Sequence, residues 1–193
     1  MPRTELFDRE KVLGQIRDLF WNKGYNGTSM QDLVETTGLN RSSLYNSFGS
    51  KQELYNTVLK QYQQAGKVHF DRALRDADNP RAAIRNIFEY AFAEMCTDSQ
   101  QKGCFSLNCK AELSRTTASI RHMLQQHESA TIKLFKDLVQ EGQDHQVINT
   151  NKSASEYAYF LYSAFQGLRM TGILITDPKT LRGIIETTMD TLN

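Results

Sequence analysis

The stretch TSMQDLVETTGLNRSSLYNSFGSKQEL, Thr28 to Leu54, reads as two short helices joined by a glycine turn, with a third helix opening immediately after. Thr28 can cap the first, with Gln31 three residues on to complete a capping box. Met30, Leu33 and Val34 then fall on one apolar stripe. Gly38 follows, where a left-handed backbone ends a helix without steric cost. Asn40 is a good N-cap for the next helix, whose Leu44 and Phe48 share one side. Gly49 closes it, and Ser50 and Glu53 form a second capping box ahead of Leu54, Val58 and Leu59. Two short helices about a glycine turn are the layout of a helix-turn-helix DNA reader.

The middle helix carries the reading face. With Leu44 inward and about 100° per residue, Phe48 lies on the same side. Ser42 and Asn46 point nearly opposite, and Ser43 and Tyr45 flank them. Arg41 stands at the N-terminal end, which such helices present to base edges. Arg41 suits a guanine edge and Asn46 an adenine edge. Tyr45 and Lys51 are placed for phosphates, and the helix start at Thr28 and Ser29 offers backbone N–H groups to another. The predicted DNA contacts are therefore Thr28, Ser29, Asn40, Arg41, Ser42, Ser43, Tyr45, Asn46 and Lys51.

Outward from this segment, Asp8 to Lys23 predicts a first helix with Val12, Leu13, Ile16, Leu19 and Phe20 on one stripe, and Tyr25 packed under the helix-turn-helix unit. The helix opened by Ser50 runs on to about Ala73, turning polar at Gln61, Gln63, Gln64 and Lys67, as a helix bridging two domains does. A turn at Asp76–Pro80 follows, with Asn79 as cap and Pro80 at the first helical position. Further helices are expected near 80–97, 103–114, 117–142, 153–175 and 178–192. The chain has three prolines and few runs of Thr, Val and Ile, which favours helices. The fold class is all-α: a three-helix head over residues 1–55 and a helical body over 56–193, divided inside the bridging helix.

Charge gives little help. The formal net charge is +1, and residues 1–60 hold eight Lys and Arg against seven Asp and Glu. A DNA reader of this composition depends on a few placed cations, hydroxyls and helix termini rather than a basic surface. Tyr157 to Ile175 contains Arg169 as its one charge. That residue, Gln166 and two glycines argue for a helix buried on two sides rather than a membrane span. No His-Glu-x-x-His, Cys-x-x-Cys, phosphate-loop or dinucleotide motif is present. His122 and His127 fall roughly 140° apart on a helix, a poor metal pair. Enzyme activity, a cofactor and a metal site are accordingly not expected. An odd cysteine count and no secretion signal point to free thiols in the cytoplasm.

The N-terminal segment resembles the TetR (tetracycline repressor-like) family of bacterial transcription regulators. The matching residues are Phe20, Gly24-Tyr25, Thr28-Ser29, Asp32-Leu33, Gly38, Leu39, Ser43-Leu44-Tyr45, Phe48 and Ser50-Lys51-Glu53-Leu54. Ser42 stands where many members carry Gly. The resemblance implies a homodimer on a palindromic operator, most commonly as a repressor, in which the last two helices pair with their twofold mates. Symmetry supports this independently, because two reading helices must sit about one turn of DNA apart. Tyr157, Ala164, Leu168, Leu181, Ile184, Ile185, Thr188 and Met189 are the expected interface, although the stripe on the last helix also fits the core of a monomer.

The resemblance also implies a small-molecule pocket between the middle helices. Phe88, Phe92, Phe105, Asn108, Met123, His127, Tyr159, Tyr162, Phe165 and Gln166 are the expected lining, each open to a plain core role, and the set suits an apolar or aromatic effector. Some members of the family respond to oxidants through a cysteine at a Gly-Cys junction. Gly103-Cys104 offers one at a helix start, where the dipole favours thiolate, with Lys102 and Lys110 near in sequence. The alternatives are a thiol-based regulator using Cys104, Cys104 as a small buried hydrophobe, and an architectural DNA-binding protein without an effector.

Overall fold

A computed structural model of the chain describes residues 7–98 and 100–193. These form α1 (Arg9–Lys23), α2 (Met30–Thr37), α3 (Arg41–Phe48), α4 (Lys51–Arg75), α5 (Pro80–Thr97), α6 (Phe105–Leu113), α7 (Ala118–Asp144), α8 (Ala154–Thr171) and α9 (Pro178–Asp190). Side-chain caps fix most of the starts. Asp8, Asn40, Asn79 and Asp177 each accept a backbone N–H three residues on. Ser50 and Ser153 form reciprocal capping boxes with Glu53 and Glu156. Pro80 and Pro178 occupy the first helical position, where the missing N–H costs nothing.

One cap differs from the sequence expectation. The box at α2 is Ser29 with Asp32, not Thr28 with Gln31. Thr28 is buried, and its hydroxyl donates to the Gly24 carbonyl at 2.7 Å. Two adjacent hydroxyl residues could each start the helix, and a threonine methyl buries better than a serine does. Gln31 instead bonds Glu35 on the outer face. Asp32 also meets Lys23 at 2.6 Å, and Lys23 and Ser29 together hold its carboxyl well below the usual carboxylate range.

Two hydrophobic cores result. One gathers α5, α7, α8 and α9 around Phe88, Phe135, Leu161 and Phe165 with the second half of α4. The other holds α1 to α4 around Ile16, Phe20, Leu33, Leu44, Phe48 and Tyr55. Tyr25 stacks on Phe20 of α1 and meets Tyr55 of α4 edge to face. This second core does not close on itself. Phe105, Cys109 and Leu113 of α6 and Ile120 and Leu124 of α7 complete it, so the three-helix head is packed directly onto the body.

Several helix ends move from their expected positions, by two residues at the ends of α7 (Asp144) and α9 (Asp190). α4 runs on to Arg75, α6 begins at Phe105, and α8 stops at Thr171, with a turn over 172–174. Among the described residues no helix is long and apolar enough to cross a membrane.

Candidate functional site

The head presents α3 outward. Leu44 and Phe48 are buried, and Arg41, Ser42, Tyr45 and Asn46 are exposed. The Arg41 guanidinium lies 5.8 Å from the Tyr45 ring centroid, which holds the two side chains on one face. Asn40 spends its side chain on the Ser43 amide as cap, and Ser43 is half-buried. Lys51 lies over the Tyr25 ring at 4.3 Å. Its ammonium is thereby fixed beside the start of α4 rather than free to sweep. Each of these groups sits at the end or outer face of a capped helix, which is how a backbone can set hydrogen-bonding groups against a groove.

A cavity of about 460 Å³ opens between α4, α5, α6, α7 and α8, within the range that small-molecule sites occupy. Its apolar wall is Phe70, Leu74, Leu124, Leu134, Tyr162 and Phe165. Phe70 and Phe165 meet edge to face at 5.7 Å, and His69 stacks on Tyr90 at 3.9 Å. Burial, and then the nearby charge of Arg169, lowers the His127 pKa, so its imidazole is neutral near pH 7. Burial and Glu94 push the Tyr90 phenol up to about 12.

At the end of the cavity nearest the head, Arg169 donates from Nη2 to Glu94 at 2.7 Å and to the Tyr62 hydroxyl at 3.2 Å. Tyr62 donates to Cys104 Sγ at 3.5 Å. These four side chains line the cavity on one side and, on the other, a cleft shared with Arg17, Asp18 and Trp21 of α1. Burial opposes the charge on Arg169, but Cys104, Tyr62 and Glu94 outweigh it, and its pKa rises. The guanidinium stays ionised.

α6 ties the cavity to the head. Ser106 and Lys110 line the cavity, while Phe105, Cys109 and Leu113 pack into the head core. Glu112 accepts the backbone N–H groups of Tyr25 and Asn26 at 2.9 and 2.8 Å, on the segment that leads into α2. One nine-residue helix therefore touches both places.

Comparison with known proteins agrees with this architecture. Residues 12–58 match the family model for bacterial regulatory proteins of the tetR family, and residues 80–188 match the tetracyclin repressor-like C-terminal domain. The chain belongs to the TetR family. A TetR-family chain is a DNA-binding transcription regulator that acts as a dimer. The repressor DhaR of Mycobacterium sp. (strain GP1) is 28% identical over 172 residues, 88% of this chain and 84% of that protein. A cysteine-substituted TetR-family CifR bound to a 26-base-pair double-strand operator superposes with a TM-score of 0.85 at 26% identity, covering 99% of this chain and 100% of the other. The reduced form of NemR from Escherichia coli shares the fold, with a TM-score of 0.84 at 18% identity over 96% of each chain.

Against this TetR fold the expected site residues separate. Of the DNA set, Thr28 has its side chain buried, and Asn40 and Ser29 are occupied as caps. Of the expected cavity lining, His127, Tyr162, Phe165 and Gln166 are in the wall. Phe88 and Phe92 lie in the body core, and Phe105 lies in the head core with Met123 packed against it. Asn108 bonds the Lys102 carbonyl, and Tyr159 is 61% exposed. The sequence reading missed Tyr62, His69, Tyr90, Glu94 and Arg169.

The expected interface also turns inward. Tyr157, Leu168, Leu181, Ile185, Thr188 and Met189 are buried within the subunit, and Ala164 and Ile184 pack against the same core. Their periodicity reported burial correctly, but the surface they meet belongs to their own chain. The exposed stripe on α8 is Tyr159, Phe160, Ser163, Gly167 and Met170. Cys104 is buried as the N-cap of α6, and the lysines beside it in sequence are engaged elsewhere. Lys102 lies over Trp21, and Lys110 pairs with Glu128. Arg169 is the cation that faces this cysteine.

Proposed function

We propose that the protein is a ligand-responsive repressor that binds a palindromic operator as a homodimer and is released by a small molecule held in the cavity. The observation that carries this reading is α6, which lines the cavity with Ser106 and Lys110 and grips the head through Glu112. A ligand that shifts α6 changes the spacing of the two heads. The outcome is a population shift between dimer states, with effector and operator opposing one another. On this reading the head is residues 1–55, the body 56–193, and the base-reading residues are Arg41 and Asn46.

The subunits meet along α8 and α9. Tyr159, Phe160, Ser163, Gly167 and Met170 fall within one third of the helix circumference, and Gly183 and Thr187 form an exposed row on α9. Nothing in the subunit approaches a Cβ built on Gly167 or Gly183. A glycine inside a helix costs about 1 kcal/mol against alanine, and close approach of a partner helix accounts for its presence at both positions.

A second reading, a thiol switch at Cys104, rests on its position between the cavity and the cleft beside Trp21. It also rests on the similarity to NemR, solved in a reduced form, and to the cysteine-substituted CifR. One experiment separates the two. A preformed operator complex is challenged with a panel of aromatic and apolar small molecules, and separately with peroxide. Release by compounds of the panel, with no response to peroxide, is the expected result. Release by peroxide that Cys104→Ser abolishes moves the function to the thiol. Retention of the complex under every condition contradicts both.

A further inference from the structure

The walls of the cavity carry more hydrogen-bond donors than the chain uses. We infer that the effector is a singly charged organic acid with a flat, apolar body, its carboxylate held by Arg169. The inference deepens the ligand-responsive reading above and rests on it for the location of the site.

The charges that line the cavity do not balance. Lys60, Lys67, Lys110 and Arg169 stand against Asp71, Glu94 and Glu128, four cations to three carboxylates, with Lys60, Lys67 and Asp71 exposed at the rim. His127, held neutral, adds nothing. Lys110 is matched by Glu128 at 3.0 Å. Arg169 is matched by Glu94 only through Nη2; its other bond, to Tyr62, leaves from the same nitrogen. Nε and Nη1 have no protein acceptor among the described residues. A guanidinium presents its N–H groups as a fork that fits a carboxylate in two-point contact, and here part of that fork is unused.

Two further polar groups of the wall point the same way. Gln63 Nε2 and Ser106 Oγ are buried and have no hydrogen-bond partner, and both residues line the cavity. A buried donor left without a partner is costly, and turning either side chain toward the cavity to meet an acceptor on a ligand recovers that loss. A carboxylate offers only acceptors. An amine or an ammonium offers donors to groups that are donors themselves, and adds a positive charge to a cavity that already carries one in excess.

The body of the ligand follows from the rest of the wall. His69 stacks on Tyr90 and Phe70 meets Phe165 edge to face, so much of the wall is built of aromatic rings. Phe165 also lies beneath the Arg169 guanidinium, 5.4 Å from ring centroid to Cζ. A flat aromatic group packed among these rings brings a carboxylate on its edge to the guanidinium. Such a carboxylate competes with Glu94 for Arg169 and loosens the bond from Arg169 to Tyr62. Tyr62 sets its ring edge against Trp21 of α1 at 5.1 Å, so the displacement reaches the head. Trp21 is the single tryptophan of the chain and reports the event by its fluorescence.

The test uses naphthalene-2-carboxylate and its neutral isostere naphthalene-2-carboxamide, titrated into the whole protein by calorimetry with Trp21 fluorescence recorded in parallel. The acid binds at least about tenfold more tightly than the amide, as expected when a charged hydrogen bond is exchanged for a neutral one. Arg169→Gln removes that preference. Glu94→Gln keeps Arg169 and its bond to Tyr62 while removing the competing carboxylate, and it widens the preference; this variant serves should Arg169→Gln fail to fold. Equal or tighter binding of the amide, a preference that survives Arg169→Gln, a preference that Glu94→Gln leaves unchanged, or no binding of the acid at millimolar concentration each overturns the inference. If the acid binds with the stated preference yet leaves the operator complex intact, the anion site stands and the effector reading fails instead.

Discussion

Gly167→Arg yields a folded protein that sediments as a monomer and binds operator about 10² to 10⁴-fold more weakly than the unsubstituted chain. The position decides the outcome. Gly167 is exposed on α8, and a Cβ there meets nothing in its own subunit, so the helical circular dichroism spectrum is retained. In the dimer the same side chain is driven into the facing helix, with a buried and unpaired charge. A single head then has one half-site to bind, and the gain from linking two heads is lost. Sedimentation velocity at micromolar concentration, followed by an operator titration, checks both halves. A Gly167→Arg protein that remains dimeric places the interface elsewhere.

Phe105→Ala costs about 3–5 kcal/mol of stability, the range for emptying a buried phenylalanine site. That is a large share of the roughly 5–15 kcal/mol that holds a domain folded. Phe105 is 1% exposed and meets the rings of Trp21, Tyr55 and Tyr62 at 5.6, 5.5 and 5.8 Å. These come from α1 and α4, whereas Phe105 opens α6, so the ring is a bolt between head and body. Removing it leaves a void that three large rings cannot close without leaving their own sites. Denaturant unfolding measures the loss. Val68→Ala on α4, at a position 62% exposed, stays within about 0.5 kcal/mol. A loss under about 1 kcal/mol for Phe105→Ala contradicts the shared core.

The legible parts of this protein in its sequence are those set by local chemistry. Caps at Asn40, Ser50, Asn79 and Asp177 sit within three residues of what they bond, and a reader of the chain can see both partners. The family resemblance lies on the same segment and reaches the same head. The shift from Thr28 to Ser29 marks the limit even there, since which of two hydroxyls caps a helix depends on which one the fold buries.

The cavity was less legible because it is built from residues with ordinary surface signatures. Gln63 and His69 lie on the stretch of α4 that reads as a polar bridge. Arg169 read as an interruption in an apolar helix, and its partners Glu94 and Tyr62 are 75 and 107 residues away. Apolar periodicity shows that a face is covered without showing by what. Leu181, Ile185 and Met189 lie under α9 against their own subunit, and Phe88 fills the core beside the cavity rather than lining it. The signal that would have helped is the unusual placement of one arginine in a stretch otherwise without charge from Tyr157 to Ile175.

Titration of the protein against an operator obtained by unbiased selection, beside a scrambled sequence at near-physiological salt, tests the central claim most directly. The account predicts binding at least about a hundredfold tighter to the operator. Arg41→Ala and Asn46→Ala narrow that ratio, because they remove contacts to base edges. Tyr45→Ala and Lys51→Ala weaken binding to both sequences alike, because phosphates are the same everywhere. Equal affinity for operator and scrambled DNA, or four substitutions that leave binding untouched in a folded dimer, would contradict a sequence-reading head on α3.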